Sequence, residues 1–234
     1  MKWPTPIDHL YILCDPREEP QRAAYLRSWF QTKDIDASCW SFVNKCYGRT
    51  LSAADAHAAY NPYVDRRPIE PMRSFNSYNI KPSELSLCIN WDHFARTAIA
   101  AGHTCVMMFE SDVLFTDDFH DRLTEAMTIL TTNNVAWDFL SLSAGANLRP
   151  VRDAGDTRLG WFPSINTYFH TRTCDAMVFK VSMLEKIVPT FLPVAEVLDW
   201  ELNYQLTLHK SRTLWLDPPI IRQGSATGEY ATSL

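Results

Sequence analysis

The run Thr104–Phe119, TCVMMFESDVLFTDDF, decides how the rest of the chain is read. Cys105 to Phe109 is unbroken apolar sequence, the composition of a central strand buried on both faces. Charge arrives at its end as Glu110-Ser111-Asp112, followed by a second short apolar run, Val113–Phe115, and by Asp117-Asp118 ahead of a helical pattern. A carboxylate buried without a partner costs several kcal/mol. Glu110 and Asp112, at i and i+2, are therefore expected at an open edge of the sheet, holding a hard divalent cation or the polar groups of a ligand. Mg²⁺ and Mn²⁺ favour such oxygen ligands, and Mg²⁺ typically joins one or two carboxylates to substrate phosphates, so the pattern points to a nucleotide-sugar site. Placement for the helix dipole accounts well for Asp117 and Asp118 but poorly for Glu110 and Asp112.

Upstream, Ile7–Cys14 (IDHLYILC) reads as a first, central strand that stops at Asp15-Pro16. A helix is expected over Pro20–Phe30, with Ala23, Ala24, Leu26, Trp29 and Phe30 largely on one side. Strand then helix is the opening of an α/β fold. Arg17 and Arg22 lie where such a connection meets phosphate, although solvated arginines fit equally. Ala37–Val43 is a second, shorter strand. From Asn44 to Pro82 prolines break the pattern, and only Leu51–Tyr60 looks helical. A long irregular segment is commonly a lid or binding loop; Tyr60, Tyr63, Arg66, Arg67, Arg73, Phe75 and Tyr78 would serve one, and a surface excursion without a role is the alternative. Ser83 is expected to cap a helix running to Ala101, with Glu84 in its first turn, Gly102 as its stop and Asp92 the odd member of its apolar face. A right-handed crossover from it into Cys105 would carry the acidic motif to the carboxyl end of a parallel strand, where α/β sheets bind ligands.

Downstream, Phe119–Leu130 reads as an amphipathic helix, Trp137–Leu142 as a strand and Asn147–Thr171 as irregular, with Arg149, Arg152, Arg158, Trp161, Tyr168 and His170. Ala176–Val181 is a strand, Met183–Thr190 a helix, and Val194–His209 a helix carrying Asp199, Trp200 and Glu201. Thr213–Leu216 closes the sheet.

A chain of 234 residues, 46% hydrophobic and 21% charged, suits one domain with a sizeable core. Its net charge of −5 argues against nucleic-acid binding through phosphate contacts, though not against a bound nucleotide. The six cysteines are scattered without a CxxC pair and read as buried thiols of a reducing compartment, with a Cys39–Cys46 disulfide the alternative. The N-terminus lacks an apolar stretch of signal-peptide length, and no segment approaches the roughly 18 apolar residues of a membrane span. A cytoplasmic protein is expected.

Several landmarks fall in one order: a first strand ending ILCD with Arg22 beyond it, SELSLCINWDHF, CVMMFESDVLFTDDF, WDFLSL, VLDWELN and LWLDPPIIRQGS. Together they resemble the family 25 glycosyltransferases, of the lipopolysaccharide and procollagen galactosyltransferase kind, and span most of the chain. The resemblance implies a GT-A-like single α/β domain with a mixed, mostly parallel sheet flanked by helices. Residues 1–142 would form its nucleotide-sugar-binding half and 143–234 its acceptor side. It implies an inverting, metal-dependent transfer of a hexose such as galactose or glucose from a nucleotide-diphosphate donor, a UDP-sugar first, to a hydroxyl of a glycan or glycoconjugate. Asp112 is then the ligand of Mn²⁺ or Mg²⁺, and Glu110 assists it or meets the ribose. Asp15, Arg22, Glu84, Ser111 and Gln223 contact the donor. The chain departs from the family at Ser111, at Asn90-Trp91 and at Leu13.

An inverting displacement needs a carboxylate to take the acceptor's proton; Asp199 is the first candidate and Glu201 the second, and a helix does not let both face one site closely. His170 and His209 are weaker metal-ligand candidates. Two other classes remain open at this point: a nucleotidyltransferase, disfavoured because CDPREEP holds no glycine to wrap a triphosphate, and a non-catalytic glycan- or nucleotide-binding module.

Overall fold

The computed structural model describes residues 1–64, 80–143, 156–164, 169–171 and 173–230. The apolar runs assemble into one seven-stranded sheet in the order β2-β1-β3-β7-β5-β8-β6. The strands are β1 (His9–Leu13), β2 (Trp40–Val43), β3 (Cys105–Glu110), β5 (Phe139–Ser141), β6 (Gly160–Pro163), β7 (Ala176–Lys180) and β8 (Thr213–Asp217). Five of them run one way, and β7 and β6 run against them. A small second sheet pairs β4 (Val113–Phe115) with β9 (Ile221–Gln223) in antiparallel fashion. The helices are α1 (Pro20–Thr32), α2 (Ala53–Ala59), α3 (Pro82–Ala100), α4 (Phe119–Thr132), α5 (Val181–Phe191), α6 (Leu198–Leu208) and the short α7 (Gly224–Thr227).

Period-two alternation sorts the two central strands between two cores. Leu10, Ile12, Met107 and Phe109 pack with Leu26 and Phe30 of α1 and Leu123 and Met127 of α4. Their neighbours Tyr11, Leu13, Val106 and Met108 face the opposite way, onto α3, α5 and α6. Helices thus cover both faces, which fits the unbroken apolar runs Leu10–Leu13 of β1 and Cys105–Phe109 of β3. Trp91 is fully buried in the second core, its ring 4.3 Å from Phe191 and 5.9 Å from Phe179 between centroids. Asp92, the polar intruder on that helix, is neutralised by Arg96 one turn later at 2.7 Å.

Four expectations are corrected. Thr213–Leu216 does not close the sheet, because β6, inside the stretch read as irregular, pairs outside it. Lys81, not Ser83, caps α3. Val194–Val197 precede α6 instead of belonging to it. Ala37–Cys39 form a 3₁₀ turn before β2. The cysteines are all free thiols, Cys39 and Cys46 included. Burial pushes the Cys14 and Cys105 thiols up to about 12, so both stay protonated as small core hydrophobes. Arg66, Arg67, Arg73, Phe75 and Tyr78, with Arg149, Arg152 and Tyr168, lie outside the described residues. Among the described residues no helix is long and apolar enough to cross a membrane.

At the far edge from the acidic motif, Asp138 at the start of β5 takes Arg212 in a two-pronged pair at 2.7 Å on each oxygen, plus the Arg212 backbone N–H. Hydrogen bonds from the Arg212 guanidinium hold the Asp138 carboxyl below its ordinary value against partial burial. A lowered folded-state pKa contributes stability above the unfolded value, lost as pH falls through the folded one. Asp138→Asn is expected to cost about 1 kcal/mol at pH 7 and to converge on the wild type in acid, once the pH falls below the lowered folded-state value, as denaturant titrations at neutral and acid pH will show.

Candidate active site

Register brings the chemistry to one edge. β1 and β3 are parallel with Leu13 opposite Glu110, so Asp15 leaves β1 where Ser111 and Asp112 leave β3. β7 arrives from the opposite direction with Ala176 opposite Phe109, which sets Asp175 beside Glu110; the Glu110 N–H donates to the Asp175 carbonyl at 2.9 Å. At this edge lies a cavity of about 700 Å³ whose lining includes Asp15, Arg22, Glu110, Ser111, Asp112 and Gln223. Six of the expected donor and metal contacts therefore share one concavity at the carboxyl ends of β1 and β3, where open α/β sheets take their ligands.

On the nucleotide-facing side expected from the sequence, Asp15 accepts from Arg17 at 2.8 Å and from Asn44 at 3.0 Å. Asn90 donates to Asn44 at 3.0 Å and to the Cys46 carbonyl, and accepts the Lys45 and Cys46 N–H groups. This network ties the ends of β1 and β2 to α3, and Asn90 is a site residue that the sequence offered only as a departure from the family. Asp15 titrates below the usual carboxylate range because the Arg17 side chain hydrogen-bonds it.

Arg22 donates to Glu19 at 2.7 Å and to the Ser111 hydroxyl at 2.9 Å, and Ser111 donates to Glu19 at 2.7 Å. Its guanidinium also lies under the Tyr230 ring, 5.3 Å from the centroid. The middle residue of the acidic triplet is thus a hydroxyl wired to a cation, with Glu19 supplying the carboxylate. Asp112 is buried, its Oδ2 bonded to the Ser225 hydroxyl at 2.5 Å, while Oδ1 is buried without a hydrogen-bond partner among the described residues. Gln223 reaches Glu110 at 3.4 Å.

Glu110 is crowded by like charges. Burial raises its carboxyl well above the ordinary range, and the charges of Asp112, Asp175 and Asp199 add to that while Arg22 opposes them. Asp175, buried with an unpartnered Oδ1, is raised too, by burial against hydrogen bonds from Thr173 and Ser143. Asp175 was not singled out from the sequence: it precedes its strand, and only an antiparallel β7 carries it to this edge.

The remaining expected residues fall elsewhere. Glu84 accepts the Lys81 N–H at 2.8 Å and completes the start of α3. Glu201 is fully buried and bonds the Ala195 N–H and the Gln205 amide, so it braces the turn into α6. Asp199, two residues earlier and so on the other side of α6, is half-buried and within electrostatic reach of Glu110. Burial pushes His170 down to about 4, and its Nδ1 pairs with Thr213, which makes it a neutral structural group. His209 caps the far end of α6, about 15 Å along the helix from Asp199.

Among the described residues no three His, Cys, Asp or Glu side chains are grouped to hold a metal ion. A cation here would rest on one or two carboxylates plus ligand oxygens, a manner usual for Mg²⁺. The unpartnered Asp112 Oδ1 and the all-oxygen donor set fit that arrangement.

No protein-family model matches the chain, and no curated protein does. Among solved structures it is similar to A197 from STIV at 13% identity, over 92% of this chain and 83% of that one, with a TM-score of 0.42. That likeness is too slight to bear on function.

Proposed function

We propose that the protein is an inverting glycosyltransferase of the family 25 type, which moves a hexose from a nucleotide-diphosphate donor to a hydroxyl of a glycan or glycoconjugate. The observation that carries the reading is Asp112, a buried carboxylate with one uncommitted oxygen, set at the carboxyl end of β3 on a cavity it shares with Arg22 and Asp15. Asp112 and Glu110 would hold Mn²⁺ or Mg²⁺, which when bound neutralises charge developing on the departing diphosphate. Arg22, oriented by Glu19 and Ser111, adds a fixed positive charge for the same phosphates. The Asp15–Asn44–Asn90 network lines the end where the nucleoside would lie and offers it polar groups. Asp199, within electrostatic reach of Glu110, takes the proton of the acceptor hydroxyl as general base.

The test is thermal denaturation of the wild type and Asp112→Asn with Mn²⁺ and each of UDP, GDP and CMP. One nucleotide with Mn²⁺ is expected to stabilise the wild type by about 2.7 kcal/mol at a hundred times its dissociation constant, and not to stabilise the variant. Indifference of the wild type to every combination rejects the transferase reading.

A further inference from the structure

Asp112, in the turn between β3 and β4, is held by a segment distant in the chain. β9 pairs with β4 so that Gln223 lies opposite Val113, and the chain then turns directly over Asp112. Three contacts converge there: the Gly224 N–H on the Asp112 carbonyl at 2.7 Å, and the Ser225 hydroxyl and N–H on Oδ2 at 2.5 and 3.4 Å. The turn closes on itself, with the Glu229 and Tyr230 N–H groups bonding the Gly224 carbonyl at 2.9 and 3.2 Å, and the Tyr230 ring then covers Arg22. Gly224 admits nothing larger, since a β-carbon there would stand 2.5 Å from the Tyr230 ring and 3.0 Å from the Asp112 carbonyl.

The distribution of these bonds over the carboxylate is uneven. Oδ2 receives both Ser225 donors, while Oδ1 receives none among the described residues although it is buried. A contact serving only stability would be expected to relieve the orphaned oxygen as well, because a buried acceptor left unbonded is costly. Anchoring one oxygen and leaving its twin uncommitted is instead how a carboxylate is oriented for a ligand.

We propose that Ser225 is a positioning residue for Asp112, delivered by the Gly224–Tyr230 turn, an inference that rests on the reading of Asp112 as a cation ligand. Mn²⁺ binding to the full chain, followed by the loss of the free-ion electron paramagnetic resonance signal, tests it without any turnover. Ser225→Ala is expected to weaken Mn²⁺ roughly 10- to 100-fold, with Ser225→Thr restoring most of the affinity. Gly224→Ala, which displaces the same turn by another route, is expected to weaken Mn²⁺ in the same direction. Losing a hydrogen bond to a buried carboxylate is expected to lower the melting temperature of Ser225→Ala by a few degrees, so Mn²⁺ affinities are compared at a temperature where every variant is folded. Wild-type affinity in both Ser225→Ala and Gly224→Ala, with binding lost in Asp112→Asn, overturns the positioning role and leaves the cation site standing. A wild type that takes up no Mn²⁺ overturns the cation site itself, and this inference with it.

Discussion

Asp199→Asn is expected to lower turnover by about 10²–10⁴-fold while leaving nucleotide-dependent stabilisation at its wild-type level. A loss of that size corresponds to about 3–5 kcal/mol of barrier at 1.36 kcal/mol per decade. It falls on the chemical step because Asp199 interacts electrostatically with Glu110 but is outside the lining of the donor cavity, and is the member of the α6 acidic pair that keeps some exposure. Glu201→Gln should behave in the opposite way. Its carboxylate spans the Ala195 N–H and the Gln205 amide inside the core, so losing one of those bonds should cost about 1–3 kcal/mol of stability and leave turnover per folded molecule intact. Steady-state kinetics with the donor that the stabilisation assay selects, beside denaturation curves for both variants, separates the two residues. An inactive Glu201→Gln beside an active Asp199→Asn would reverse the assignment.

Trp91→Ala should produce the largest loss of stability in the molecule, about 3–5 kcal/mol, because it empties the volume enclosed by Phe94, Phe179 and Phe191. In a chain of this length each kcal/mol lowers the melting temperature by about 2–4 °C. Trp91→Phe should cost much less: the indole N–H is buried without a hydrogen-bond partner, so its removal forfeits no bond. A Trp91→Ala protein that melts within a degree or two of the wild type would show that the three phenylalanines collapse into the gap. Trp91 is thus a core residue, while its neighbour Asn90 faces the site network.

The local order of the chain was legible wherever periodicity is set by a single partner surface. The two-faced burial of β1 and β3, the helices α1, α3 and α4, and the placing of Glu110 and Asp112 at a strand's end all follow from the spacing of apolar residues and the point where charge begins. β6 was not legible, because Gly160–Pro163 is too short to show alternation and lies among polar residues; it is a strand only because β8 offers it an edge. Glu84 and Glu201 read as site acids because a carboxylate near a helix start looks the same whether it faces a ligand or a backbone N–H. Asp175 and Ser225 reach the site only through strand pairing, the first through antiparallel β7 and the second through β9. By itself the sequence determined that this is an α/β protein with a carboxylate pair ending a buried strand. Only tertiary structure decided which other acids and hydroxyls surround that pair, because side chains far apart in the chain meet through backbone hydrogen bonds between strands, which depend little on side-chain identity.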